Sequence, residues 1–172
     1  MNAGKNALHV IKDSKPRNYL TSNIADLDYD KADINAKNRC VAWCKQFGLK
    51  DTVCPDLPAE VLEDMEKEVK VLNDMIQLCL DHRLQPVLVS TPFSAALNKY
   101  FSKEFVQSML YNNINKANTA KIPYFDYREH PDFQEKYKWF INGCDWLTKD
   151  GRDHFMKIFK DDIKSLRTSE DA

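Results

Sequence analysis

The sequence predicts an α/β domain of three layers, a short and mostly parallel sheet flanked by helices. Three observations predict it. Short apolar runs with β-branched or aromatic residues recur at 8–11, 86–90 and 123–127, each bounded by polar or proline punctuation. Amphipathic helical patterns separate the second and third runs and follow the third. Helix-strand-helix-strand-helix order from residue 58 onward is the mark of parallel pairing through right-handed crossovers.

Taken in order, Leu8-His9-Val10-Ile11 reads as a strand, and the acidic, aperiodic stretch Thr21 to Asp33 reads as loop. A short helix fits Ala36 to Phe47, stopped by Gly48, which takes the left-handed conformation after a helix. The long helix opened by Pro58-Ala59-Glu60 sets Val61, Leu62, Met65, Val69, Leu72, Met75, Ile76 and Cys79 at steps of three and four, and ends near Asp81-His82-Arg83. Pro86-Val87-Leu88-Val89-Ser90 is a continuous apolar strand, the pattern of burial on both faces. Ser102 caps a helix running to Asn118, Pro123 to Tyr127 forms a weaker strand, and a last helix after Thr148 stacks Phe155, Ile158, Phe159, Ile163 and Leu166 on one stripe.

The 172 residues suit a single domain: residues 1–57 an irregular N-terminal part with a strand and a short helix, 58–167 the α/β body, 168–172 a frayed tail. Lys+Arg 25 against Asp+Glu 26 leaves a net charge of -1, which argues against nucleic acid or anionic lipid as partner. The N-terminal apolar run Ala7 to Ile11 is too short for a signal core or a membrane span. Five cysteines form no regular framework, so reduced thiols and a cytoplasmic setting are expected, or the cell envelope if the chain is part of a larger protein.

Ligands of open parallel sheets collect beyond the carboxyl ends of the strands. There lie Asp13 and Ser14, then Ser90 and Thr91, then Asp126, Arg128, Glu129 and His130. Taken singly these residue types form turns and caps. Cys40, Cys44 and Cys54 lack the paired spacing of zinc knuckles, so neither metal nor cofactor is assigned. Cys79, on the apolar stripe of the long helix, is expected in the core. Each histidine has a structural role open to it: His9 in a strand, His82 at a helix end, His130 before a proline, His154 in a first helical turn. Tyr137, Trp139, Phe140 and Trp146 offer flat faces for a sugar or acyl chain, or alternatively cap the core, the latter favoured for Phe140.

Across residues 69 to 166, the phrases LNDMIQLCLDHRLQPVLVSTPFSAAL, IPYFDYREHPDF and WFINGCDWLTKDGRDHFMKIFKDDI resemble the C-terminal half of SGNH/GDSL-type hydrolase-like proteins. The nearest branch is that of bacterial surface polysaccharides and teichoic acid D-alanylation. The resemblance implies an SGNH/flavodoxin-like fold and Ser-His-Asp hydrolysis or acyl transfer, in which imidazole takes the serine proton and a carboxylate orients the imidazole. The branch closes with a D-x-D-H-L-N-x-x-G phrase. Here Asp145, Leu147 and Gly151 match it, while Gly143 stands at the orienting aspartate and Trp146 at the general-base histidine. Indole nitrogen has no lone pair with which to accept a proton.

Lys12-Asp13-Ser14 follows a strand as the family's glycine-aspartate-serine does, with lysine for glycine. The expectation is therefore a degenerate or partial SGNH-like domain without hydrolytic activity and with a carbohydrate or acyl-ester ligand. Two alternatives stand beside it. One is an active esterase or acyltransferase with rearranged residues drawn from Ser14, His130, Asp145 and His154, with Thr91, Asp126, Trp139 and Trp146 in binding roles. The other is a small interaction domain or homo-oligomer that covers its open sheet edge with a partner.

Overall fold

The computed structural model describes residues 27–53 and 57–170, the last four without their side chains. The first predicted strand, Ser14 and Cys54 lie outside the described residues. Helix α1 spans Tyr29–Phe47. It begins seven residues earlier than periodicity predicts, because Asp28 caps it by accepting the Lys31 amide at 2.9 Å. Residues 29–33, read from sequence as loop, are thus its first turns, and the small Ala32 and Ala36 sit fully buried. Gly48 ends the helix at φ 64°.

Helix α2 spans Ala59–Asp81 and ends on His82, whose Nδ1 lies 2.9 Å from the Leu78 carbonyl. Its apolar stripe is largely uncovered. Only Ile76 is buried, Leu62, Val71, Met75 and Leu78 are exposed, and Cys79, expected in the core, is half-buried. Strand β1, Leu88–Ser90, pairs in parallel with β2, Tyr124–Asp126, in the register Leu88↔Tyr124, Val89↔Phe125, Ser90↔Asp126. Among the described residues these two strands form the sheet. The expected burial of the 86–90 run on both faces is not met: Val89 is 36% exposed, because the strand edge opposite β2 carries no neighbour among the described residues.

Between the strands run α3 (Ala95–Asn98), α4 (Lys103–Val106), a π-helical segment Gln107–Tyr111 and α5 (Asn112–Ala117). Ser102 caps α4 by accepting the Phe105 amide at 2.9 Å. After β2 come α6 (Pro131–Gln134), a 3-10 turn Tyr137–Trp139, and α7 (Lys149–Glu170). The whole is a helix-rich chain flanking a small parallel sheet.

Among the described residues two apolar clusters join these elements. One joins Ala32, Ala36 and Cys40 of α1 to Ala96 and Leu97 of α3 and to Cys144. The other stacks Tyr127, Phe133, Phe140 and Phe155 beside β2, with Tyr127 and Phe155 edge to face at 5.2 Å. Phe140, fully buried, is core as the sequence suggests. No helix among the described residues is long and apolar enough to cross a membrane.

Candidate functional site

Two groups of residues lie at the carboxyl end of the sheet or beside it. The first is the loop that joins Phe140 to Leu147, closed by an antiparallel bridge between those two residues. Asn142 organises it, its Oδ1 accepting the amides of Cys144 (3.0 Å), Asp145 (3.2 Å) and Trp146 (3.2 Å). Gly143 sits at φ 73°, and a Cβ built there would lie 2.2 Å from Leu27 Cδ2 and 2.9 Å from Ala32 Cβ. Glycine is required on both counts, backbone and space. Buried Ser94 clamps the same loop, donating its hydroxyl to the Gly143 carbonyl at 2.7 Å and its amide to the Cys144 carbonyl at 2.8 Å.

Asp145 is bound by Arg39 of α1, with Nη2 at 2.9 Å and Nε at 3.2 Å from the same carboxylate oxygen. Its other oxygen accepts Asn142 Nδ2 at 2.5 Å. The carboxylate side chain is 8% exposed. The guanidinium carbon lies 5.0 Å from the Trp43 ring centre and 5.3 Å from that of Trp146, so Arg39 is in cation–π range of two indoles. Trp146, half exposed, therefore contributes a ring face to a cation. Burial raises the Cys144 thiol to about 12 and the Cys40 thiol to about 11, so both stay protonated.

The second group surrounds the strand ends. Asp126 accepts the Tyr111 hydroxyl at 2.5 Å and, at its other oxygen, the Arg128 amide at 3.0 Å. Arg128 Nη2 donates to Tyr111 Oη and to Glu129 Oε1, both at 3.0 Å. Ser90 and Tyr124 share a hydrogen bond of 2.7 Å. Burial first, then the bond to Asp126, raises the Tyr111 phenol. The π-helical segment shifts the helical frame at Tyr111, which is how this ring meets the strand end. Thr91 is exposed and lines an apolar groove along β1.

The sequence brings Asp126, His130, Asp145 and His154 into consideration as one catalytic cluster. Their hydrogen-bond partners differ. Asp126 bonds Tyr111, Asp145 bonds Arg39, and the two histidines converge on a residue that sequence reasoning passed over, Asp132. His154 Nε2 lies 2.8 Å from Asp132 Oδ2, and His130 Nδ1 accepts the Asp132 amide at 3.3 Å as the cap of α6. Trp139 packs on the His154 ring at a centre distance of 4.4 Å. The hydrogen bonds of Asp145 run to neither histidine nor serine. Arg39 and Tyr111 carry no local sequence signal, since their partners are 106 and 15 residues away. Arg128 carried one signal, its place just after a strand.

A histidine paired to a carboxylate has the composition of a general base, and the indole-guanidinium contact offers flat, polar-edged faces to a ligand. No family model, curated protein or solved structure matches this chain.

Proposed function

We propose that this chain is a degenerate SGNH hydrolase-like domain, related to proteins that modify bacterial surface polysaccharides with acyl groups, which has lost ester hydrolysis and retains a binding or scaffolding role. One observation carries the reading: Asp145, the carboxylate matched to the family's closing phrase, is held by Arg39, and its neighbour Trp146 lies in cation–π range of that same cation. A second strengthens it. Gly143, at the orienting aspartate's position, has no room for any side chain.

On this reading the body is a three-layer, flavodoxin-like sandwich of which the described residues are part. Its ligand is a carbohydrate or acyl ester met by Trp139 and Trp146, since indole faces suit both. Saturable turnover of p-nitrophenyl acetate that disappears in Ser14→Ala overturns the proposal. Hydrolysis no faster than buffer supports it.

An active esterase or acyltransferase with relocated residues is the second reading, favoured by the His154 to Asp132 distance of 2.8 Å. It requires a hydroxyl within reach of the other ring nitrogen. Unchanged turnover in both His130→Ala and His154→Ala rules it out.

A further inference from the structure

A groove of about 390 Å³ runs along β1, within the range of roughly 300 to 1,000 Å³ that small-molecule sites span. Its wall is a chain of neighbouring rings. Trp43 lies 5.9 Å from Phe101 and 6.3 Å from Phe93, and Phe101 stacks on Phe105 at 6.1 Å. These rings brace one another around the space. Phe47 and Val89, also in the lining, are 48% and 36% exposed, and covering such apolar surface is favourable.

One polar group interrupts the lining. Arg128, 8% exposed, enters the groove from just past β2, while Ser90 and Thr91 enter it from the end of β1. The groove thus opens at the carboxyl ends of both strands, where ligands of parallel sheets collect. Arg128 Nη2 is engaged by Tyr111 and Glu129, but the buried Nε has no hydrogen-bond partner among the described residues. The lining hydroxyls of Thr52 and Ser90 are already bonded, to the Tyr100 carbonyl at 2.6 Å and to Tyr124 Oη at 2.7 Å. A buried N–H is costly to leave unpaired, so an oxygen that reaches Nε binds favourably.

Charge balance selects that oxygen. Glu129 lies 3.0 Å from the guanidinium, and the Tyr111 hydroxyl bridges the same guanidinium to the Asp126 carboxylate. Two carboxylates already attend one cation, and a third meets like charge. An ammonium has no lone pair to offer Nε. An uncharged carbonyl oxygen satisfies the donor without either conflict.

We propose that this groove is a binding site for an uncharged amphiphile, an aliphatic chain ending in a carbonyl oxygen as in a fatty amide, with the chain against Trp43, Phe101 and Phe105 and the oxygen on Arg128 Nε. Neither Trp139 nor Trp146 lines the groove, so the site is separate from the ligand contacts of the hydrolase reading and independent of it.

Titration of the intact, isotope-labelled 172-residue chain with octanamide, octanoate and octylamine tests it, read by calorimetry and by the side-chain Nε–H resonance of Arg128. Octanamide is expected to bind saturably and to move that resonance, octanoate to bind about tenfold more weakly, and octylamine not to bind. In Arg128→Met, which keeps an apolar stem and removes the donor, octanamide affinity falls by about tenfold or more. Absence of saturable octanamide binding overturns the proposal, and so does binding that leaves the Arg128 resonance in place. Octanoate binding as tightly as octanamide also overturns it, because it assigns the groove to an anion. If Arg128→Met unfolds the protein, the resonance in the unaltered chain decides.

Discussion

Arg39 and Asp145, 106 residues apart, form a two-pronged ion pair whose nitrogens lie 2.9 and 3.2 Å from one carboxylate oxygen. It ties helix α1 to the loop that the SGNH resemblance marks as catalytic. With the Asp145 side chain 8% exposed, losing the cation leaves a nearly buried charge uncompensated. Arg39→Ala is expected to cost about 2 to 3 kcal/mol, and Asp145→Asn less, because the amide still accepts from Arg39. Urea denaturation of the two single variants and the double variant checks this. A coupling within error of zero contradicts the pair's structural role.

Gly143 is expected to resist any substitution. An added Cβ meets Leu27 and Ala32 at less than contact distance, and φ 73° strains an L residue. Gly143→Ala should lose about 2 kcal/mol or more. Rebuilding the family's phrase as Gly143→Asp with Trp146→His therefore yields a destabilised protein and no esterase. Thermal melting and a p-nitrophenyl acetate assay on the double variant read both outcomes.

The Ser94 hydroxyl is fully buried and bonds the Gly143 carbonyl at 2.7 Å. Ser94→Ala leaves that carbonyl short of a donor and should cost about 1 to 2 kcal/mol. A midpoint shift in urea without a change of slope is the expected signature.

The buried thiols give the fold an alkaline limit. Cys40 and Cys144 are held at about 11 and about 12 against an ordinary value of 9.0, chiefly by burial. Above pH 9 the unfolded chain releases these protons while the folded chain keeps them, so stability falls as pH rises through the folded values. Each thiol adds up to about 1.4 kcal/mol per pH unit to that slope. Cys144→Ala should flatten the dependence of unfolding free energy on pH between 9 and 11, whatever it does to the absolute stability. An unchanged slope contradicts the assignment.

Much of the fold is legible in the sequence because its signals are local. The three-and-four spacing of α2, the Ser102 cap and Gly48 each act within a turn or two of chain, and each recurs in the structure at the expected place. The first turns of α1 are read wrongly because Asp30 and Asp33 look like loop, whereas the Asp28 cap and the burial of Ala32 and Ala36 against α3 decide for helix. Continuous apolarity at 86–90 signals burial, yet Val89 lies along an edge, since apolar pattern alone does not count neighbours. The site is legible where it touches strand ends and where the SGNH resemblance marks Asp145 and Trp146. Asp126 and Arg128 carry the first of these signals. Tyr111 reaches them through a π-helical shift that no spacing rule signals, and Arg39 and Asp132 acquire meaning only from partners remote in sequence.

Labelling the intact protein with a fluorophosphonate, followed by whole-protein mass measurement, tests the loss of hydrolysis most directly, because the reagent reports any activated serine regardless of its substrate. The account predicts an unchanged mass. A single stoichiometric adduct contradicts it.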